Sequence, residues 1–162
     1  MLAVTFYSTV VAVHVMAIVL AFGVTFAYPI MGPFFGQRAP QAMATLHDLQ
    51  ERLGKVLITP FATLALLTGI YLASKPPGGG DLWSETWVQI PFAILIVLLG
   101  LGGAFFAPNA KKLAEMARAG AENPGPPSAE YMARVKRVAT VGVVADVLVL
   151  VAIFFMVAKP GT

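Results

Sequence analysis

The chain has 162 residues, of which 58% are hydrophobic and 12% charged, with a mean hydropathy of +0.80 and a formal net charge of +3. So few charges cannot solvate a soluble domain of this size, and the same numbers exclude disorder. The absence of cysteine excludes disulfides, iron–sulfur clusters, thiolate zinc and Cys nucleophiles, and the basic residues lie in loops between apolar stretches, which argues against nucleic acid as a partner.

Four stretches are long enough to cross a hydrocarbon core of roughly 30 Å, which takes about 20 residues as a helix. The first expected span is residues 4–28, inside a segment, 1–37, that has no Asp, Glu, Lys or Arg. It lacks the basic start and small-residue cleavage pattern of a signal peptide, and its apolar run is too long, so a retained helix is expected. After Pro40, residues Met43, Leu46, Leu49 and Leu53 form one stripe at helical spacing. They predict an interfacial helix over 41–55 that runs into the second span, 56–74. Pro60 is expected to kink that span early. Pro76, Pro77 and Gly78, Gly79 and Gly80 predict a tight outer turn, and Trp83 and Trp87 an aromatic belt where the third span, 86–107, begins. Helix is expected to continue past Pro108 to about Gly120, with a breaker over 123–127. Ser128 is the expected N-cap of a last helix reaching Ala158, whose apolar part, 138–158, is the fourth span. Gly32 and Gly36 have the spacing of a dimerising pair but lie beside Pro33, past the first span, and are discounted.

The apolar runs are continuous rather than alternating, so helices are expected and not a barrel. The fold class is therefore all-α: one transmembrane four-helix bundle with inner loops 29–55 and 108–137. Lys and Arg set its orientation. Nine lie in those two loops (Arg38, Arg52, Lys55, Lys111, Lys112, Arg118, Arg134, Lys136, Arg137) and two on the other side (Lys75, Lys159). The positive-inside rule then puts the nine in the cytoplasm and both termini outside. Size alone allows a homo-oligomer, and nothing in the sequence sets its number.

Two ionisable residues fall within the spans. His14 is about ten residues into the first, about 15 Å deep, and Asp146 about twelve residues from the outer end of the fourth, about 18 Å deep. Residues of this type inside a membrane are functional candidates by default. His14 is read as a metal or proton-relay ligand, against the plainer reading of a neutral imidazole bonded to a neighbouring helix. A mid-span Asp carries an insertion cost of about 2.5–3.5 kcal/mol and calls for a partner. The similar depths suggest that Asp146 bonds a ring nitrogen of His14; the plainer reading is a protonated Asp146 bonded to a backbone carbonyl. His47 and Glu51 share a helix face, but two ligands without a third point to a solvated interfacial face rather than a metal site. Arg52 and Lys55 flank the inner end of the second span, as anchors for anionic lipid head groups or as a clamp for carboxylates.

The run from His14 to Gly23, with Tyr28-Pro29, resembles the first helix of a superfamily of small bacterial membrane proteins. That superfamily includes the HemJ-type protoporphyrinogen oxidases and the CopD type. Glu51-Arg52-Leu53, Pro60 and Thr68-Gly69-Ile70-Tyr71-Leu72 resemble the second-helix signature of the HemJ type. The ending Met156-Val157-Ala158-Lys159-Pro160-Gly161 resembles a predicted integral membrane family of unknown function. The resemblance implies a protein of the bacterial inner membrane, with His14 in the place of a histidine associated with haem or porphyrin chemistry and Arg52 in the place of the signature arginine. The HemJ type also depends on a basic residue in its third helix, and 86–110 has no Lys, Arg or His. What carries over is thus porphyrin binding rather than the oxidase reaction.

Three functions follow as expectations. The first is a binder of haem b or another porphyrin with a redox role, using His14 as axial ligand, with Asp146 behind it and Arg52 for propionates. The second is a proton-linked carrier or channel built on a His14–Asp146 pair. The third is a non-catalytic accessory protein. Whether the chain is an enzyme is not legible from its residues.

Overall fold

The computed structural model describes residues 5–122 and 125–160. Val4, where the first span is expected to begin, Asn123 and Pro124 of the expected breaker, and Gly161 of the matched ending lie outside the described residues. Among the described residues every regular element is helical: α1 (Phe6–Phe22), α2 (Tyr28–Arg38), α3 (Met43–Leu53), α4 (Thr59–Ser74), α5 (Thr86–Leu101), α6 (Ala107–Glu122) and α7 (Ala129–Ala158). They join into four near-continuous runs, Phe6–Arg38, Pro40–Ser74, Thr86–Glu122 and Ala129–Ala158, each long and apolar enough to cross a membrane. The bundle places α1 against α4, α5 against α7, and α3 against α6.

Local chemistry explains the ends. Thr5 and Ser8 form a reciprocal capping box on α1. The Ser128 hydroxyl accepts from the Tyr131 amide at 3.2 Å, as expected of the α7 N-cap. Between α4 and α5, Gly78, Gly79 and Gly80 all have positive φ, of 104°, 88° and 77°, which suits glycine and makes the turn tight. Trp83 donates from its indole nitrogen to Ser74 Oγ at 3.0 Å and so closes that turn.

Small residues set the α1–α4 contact. Ala17, Ala21, Ala62 and Ala65 are buried, with Phe22, Leu95 and Val149 completing the core. Close backbone approach through small residues is the usual way helices pack in lipid, where apolar burial between helices gives little drive. The outer surface is correspondingly apolar: Val157 is 78% exposed, Ile30 73% and Phe6 71%.

The inner loops carry the expected helices over 41–55, past Pro108 and after Ser128, and in addition α2, which is not among the expected elements. Segment 29–55 contains α2 and α3, and 108–137 is α6 followed by the start of α7. The reason is packing beyond the apolar spans. Met43 and Leu46 of α3 and Leu113 and Ala114 of α6 are buried together, and Arg118 donates to Asp48 across the pair. So 41–55, expected as an interfacial helix, is packed on a neighbouring helix. It stands against α6, with Leu49 left 45% exposed. A run of 35 residues is about 50 Å long, which exceeds a hydrocarbon core of about 30 Å. The bundle therefore projects beyond the core at its basic end.

Candidate functional site

Three of the four runs break their α-helical bonding, each inside a Gly-x5-Pro segment: Gly23 to Pro29, Gly54 to Pro60 and Gly102 to Pro108. Proline has no N–H and its ring clashes with the carbonyl four residues back. The chain adjusts upstream. In the second and third runs the turn widens to a π turn, with Thr59 N–H bonding Gly54 O and Ala107 N–H bonding Gly102 O. In the first it tightens, with Tyr28 N–H bonding Thr25 O. Pro60 thus produces a widened turn where a simple kink is expected. Such bulges are frequent at functional sites.

All three interruptions face one cavity of about 410 Å³ in the half of the bundle away from the termini. Its lining is mostly apolar. Gly32, Gly54, Gly102, Gly103 and Gly142 border it, and a Cβ built on any of them meets nothing within 4 Å. At the core side are Phe22, Leu98 and Val149; farther along, towards α3, are His47, Gln50, Glu51 and Lys55. A largely apolar pocket of 300–1,000 Å³ with a few convergent polar groups is the usual form of a small-molecule site.

The polar groups are few. Asp146, on α7, is buried and lines the cavity. Its Oδ1 accepts from Thr25 Oγ1 at 2.6 Å. Thr25 Oγ1 is also 2.7 Å from the Phe22 carbonyl. Tyr28 borders the cavity with its hydroxyl buried and without a hydrogen-bond partner.

His47 is buried, not on a solvated face. Its Nδ1 is 3.1 Å from Gln50 Oε1 and its Nε2 3.0 Å from the Tyr131 hydroxyl. With the Gln50 carbonyl accepting, Nδ1 carries the proton and Nε2 accepts from Tyr131. Both nitrogens are then used, and Glu51 accepts from Lys55 at 2.6 Å. This pair is therefore not arranged as metal ligands, and no cluster of three or more His, Cys, Asp or Glu occurs among the described residues.

His14 does not pair with Asp146. His14 Nδ1 lies 3.0 Å from Thr68 Oγ1 on α4. That hydroxyl directs its own hydrogen to the Leu64 carbonyl at 2.7 Å, so it accepts from the imidazole. Asp146 is bonded at Thr25, eleven residues further along the first run, which is about 16 Å at 1.5 Å per residue. The similar depths expected from sequence assumed that all spans end at one level. The antiparallel pairing of Thr25 with Asp146 instead sets His14 level with the last turn of α7. The His14 ring packs on Gly69, where a Cβ would lie 3.1 Å from Cε1, and it lines neither principal cavity. These surroundings fit a helix-to-helix hydrogen bond, and neither of the two cavities reaches His14. Arg52 is exposed and is not part of the cavity wall; Lys55 is.

Of the residues bordering the cavity, Asp146, His47, Glu51 and Lys55 are candidates from sequence, and Tyr28 only as part of a resemblance; Thr25 and the glycine wall are passed over. The signal that marks Thr25, Tyr28, Gly54, Gly102 and Gly103 is the Gly-x5-Pro spacing, present three times.

Residues 8–160 match the family described as Predicted integral membrane protein (DUF2269), and the chain belongs to that family. No curated protein and no solved structure matches it.

Proposed function

We propose that this integral membrane protein binds and carries a small, mainly apolar solute in the cavity, with Asp146 as the ionisable group that links binding to a proton. The observation that carries this reading is the 410 Å³ apolar cavity bordered by Asp146. An ionisable residue that faces an interior space within a membrane marks a substrate or proton path more often than a structural bond. The basic residues of α3, α6 and early α7 support an orientation with the cavity's half towards the cytoplasm of a bacterial inner membrane, by the positive-inside rule, and they suit anionic lipid head groups there.

Gly142 gives the test. It lies one turn from Asp146 on α7 and borders the cavity, and a Cβ there meets nothing within 4 Å. Gly142→Leu is expected to fill the space without a clash. A neutral, lipid-soluble phenyl diazirine in vesicles should label Ala145 and Val149 of the unaltered protein, since both are buried from lipid and border the cavity. In Gly142→Leu that labelling should fall at least several-fold while labelling of exposed Val157 stays constant. Equal labelling of Ala145 in both proteins would sink the reading.

The porphyrin reading is favoured by the same apolar lining and by Lys55 in the wall, not by His14. Visible spectra separate the two. A solute carrier is expected to be colourless as purified, and haemin addition should give no Soret band that depends on His14. A Soret band lost in Gly142→Leu but kept in His14→Ala would establish a porphyrin in the cavity instead.

A further inference from the structure

The charges around the cavity narrow the class of solute, given the reading above. Its titratable lining groups are Tyr28, His47, Glu51, Lys55 and Asp146. Lys55 neutralises Glu51 at 2.6 Å. His47 has both ring nitrogens engaged, one by Gln50 and one by Tyr131. No titratable group of α5 or α6 borders the space. Asp146 is left as the one charge of the wall without an opposite charge beside it, bonded only to a hydroxyl in the contacts described.

Hydrogen counting adds a second observation. Thr25 has one hydroxyl hydrogen and two acceptors in reach, the Phe22 carbonyl at 2.7 Å and Asp146 Oδ1 at 2.6 Å. When that hydrogen points to Phe22, the short contact to Asp146 requires a hydrogen from the carboxyl. When the carboxyl is ionised, Thr25 turns its hydrogen to Asp146. The site thus has a hydrogen-bonded arrangement for each protonation state. In the ionised state it leaves a single negative charge in an apolar space flanked by the rings of Phe22, Tyr28 and Phe106.

We infer that the solute is a monovalent organic cation with a compact apolar body, exchanged at Asp146 for one proton. The cation pairs with the carboxylate, the aromatic rings face it, and its apolar groups fill the glycine-lined space. One positive charge enters as one proton leaves, so the charge of the cavity is unchanged.

Tetraphenylphosphonium and tetraphenylborate have the same shape and opposite charge. The full chain in lipid nanodiscs, dialysed against each with empty nanodiscs as blank, is expected to bind the phosphonium saturably and the borate not at all. Phosphonium affinity should rise with pH, by at most about tenfold per unit, and about one proton should be released per cation bound. Benzyltrimethylammonium, a smaller cation, should compete. Asp146→Asn should lose the saturable binding, and Asp146→Glu should retain it with its pH dependence, which guards against a folding defect in the first variant. Borate binding as tightly as phosphonium, no binding of either cation, or unchanged binding in Asp146→Asn would each overturn the assignment. Diazirine labelling of Ala145 with no cation binding would leave the cavity reading standing and remove only the cation.

Discussion

Leu113→Ala is expected to destabilise the protein by about 2–5 kcal/mol, measured as a shift in SDS-induced unfolding from mixed micelles. Leu113 is among the largest fully buried side chains, on α6 where it meets α3. It is enclosed with Met43, Leu46 and Ala114, at the part of the bundle that extends past the apolar spans. The cost of such a truncation depends on how far the neighbours collapse into the void. Here collapse is opposed, because the same wall borders the cavity, so the new void joins existing space. Leu49→Ala is the matched control. Leu49 is on α3 but 45% exposed, and its loss should change stability by no more than about 0.5 kcal/mol. Equal effects of the two substitutions would mean that α3 and α6 do not pack as described.

Gly69→Leu should have the next largest effect, a loss of about 1–3 kcal/mol from overpacking. The first added atom already lies 3.1 Å from His14 Cε1 and 3.7 Å from Nδ1. The rest of the side chain must push α1 from α4 and break the His14–Thr68 hydrogen bond. Two comparisons isolate the cause. Gly36→Leu, where a Cβ meets nothing within 4 Å, should be neutral or stabilising, because leucine is the better helix former. Adding His14→Ala to Gly69→Leu should recover part of the loss, since the ring is what the leucine strikes. Simple additivity of the two changes would show that His14 and Gly69 are not in contact.

Much of the fold was legible because its signals are local. Four long apolar runs, the Ser128 cap and the three glycines of the α4–α5 turn need no knowledge of their neighbours. The α1–α4 packing also has a local signal. Ala17 and Ala21, and Ala65, Gly69 and Ala73, are spaced by four as interhelical contacts require, whereas a Cβ on Gly32 or Gly36 would meet no neighbouring helix within 4 Å. The site was harder. Asp146 stood out by its cost, but its partner depends on register, and register depends on where each helix stops relative to its neighbours. Thr25 has no charge to draw notice. His47 stands among Asp48, Glu51 and Arg52, which suggests a wet face, yet its fixing partner is Tyr131, 84 residues away. Three Gly-x5-Pro segments could be counted in the sequence, but that they converge on one space is a tertiary fact.

The same interruptions give the bundle an uneven stiffness. Bending of helices localises at prolines and π turns, where the bonding ladder is already broken. Three of the four runs have such a joint facing the cavity, while α7 continues for 30 residues without one. α2, α3 and α6 can thus swing as short levers from the half of the bundle nearer the termini, which is held together through its alanines. Asp146 is carried by the unjointed mast. When the wall around it widens or narrows, the carboxyl keeps its position.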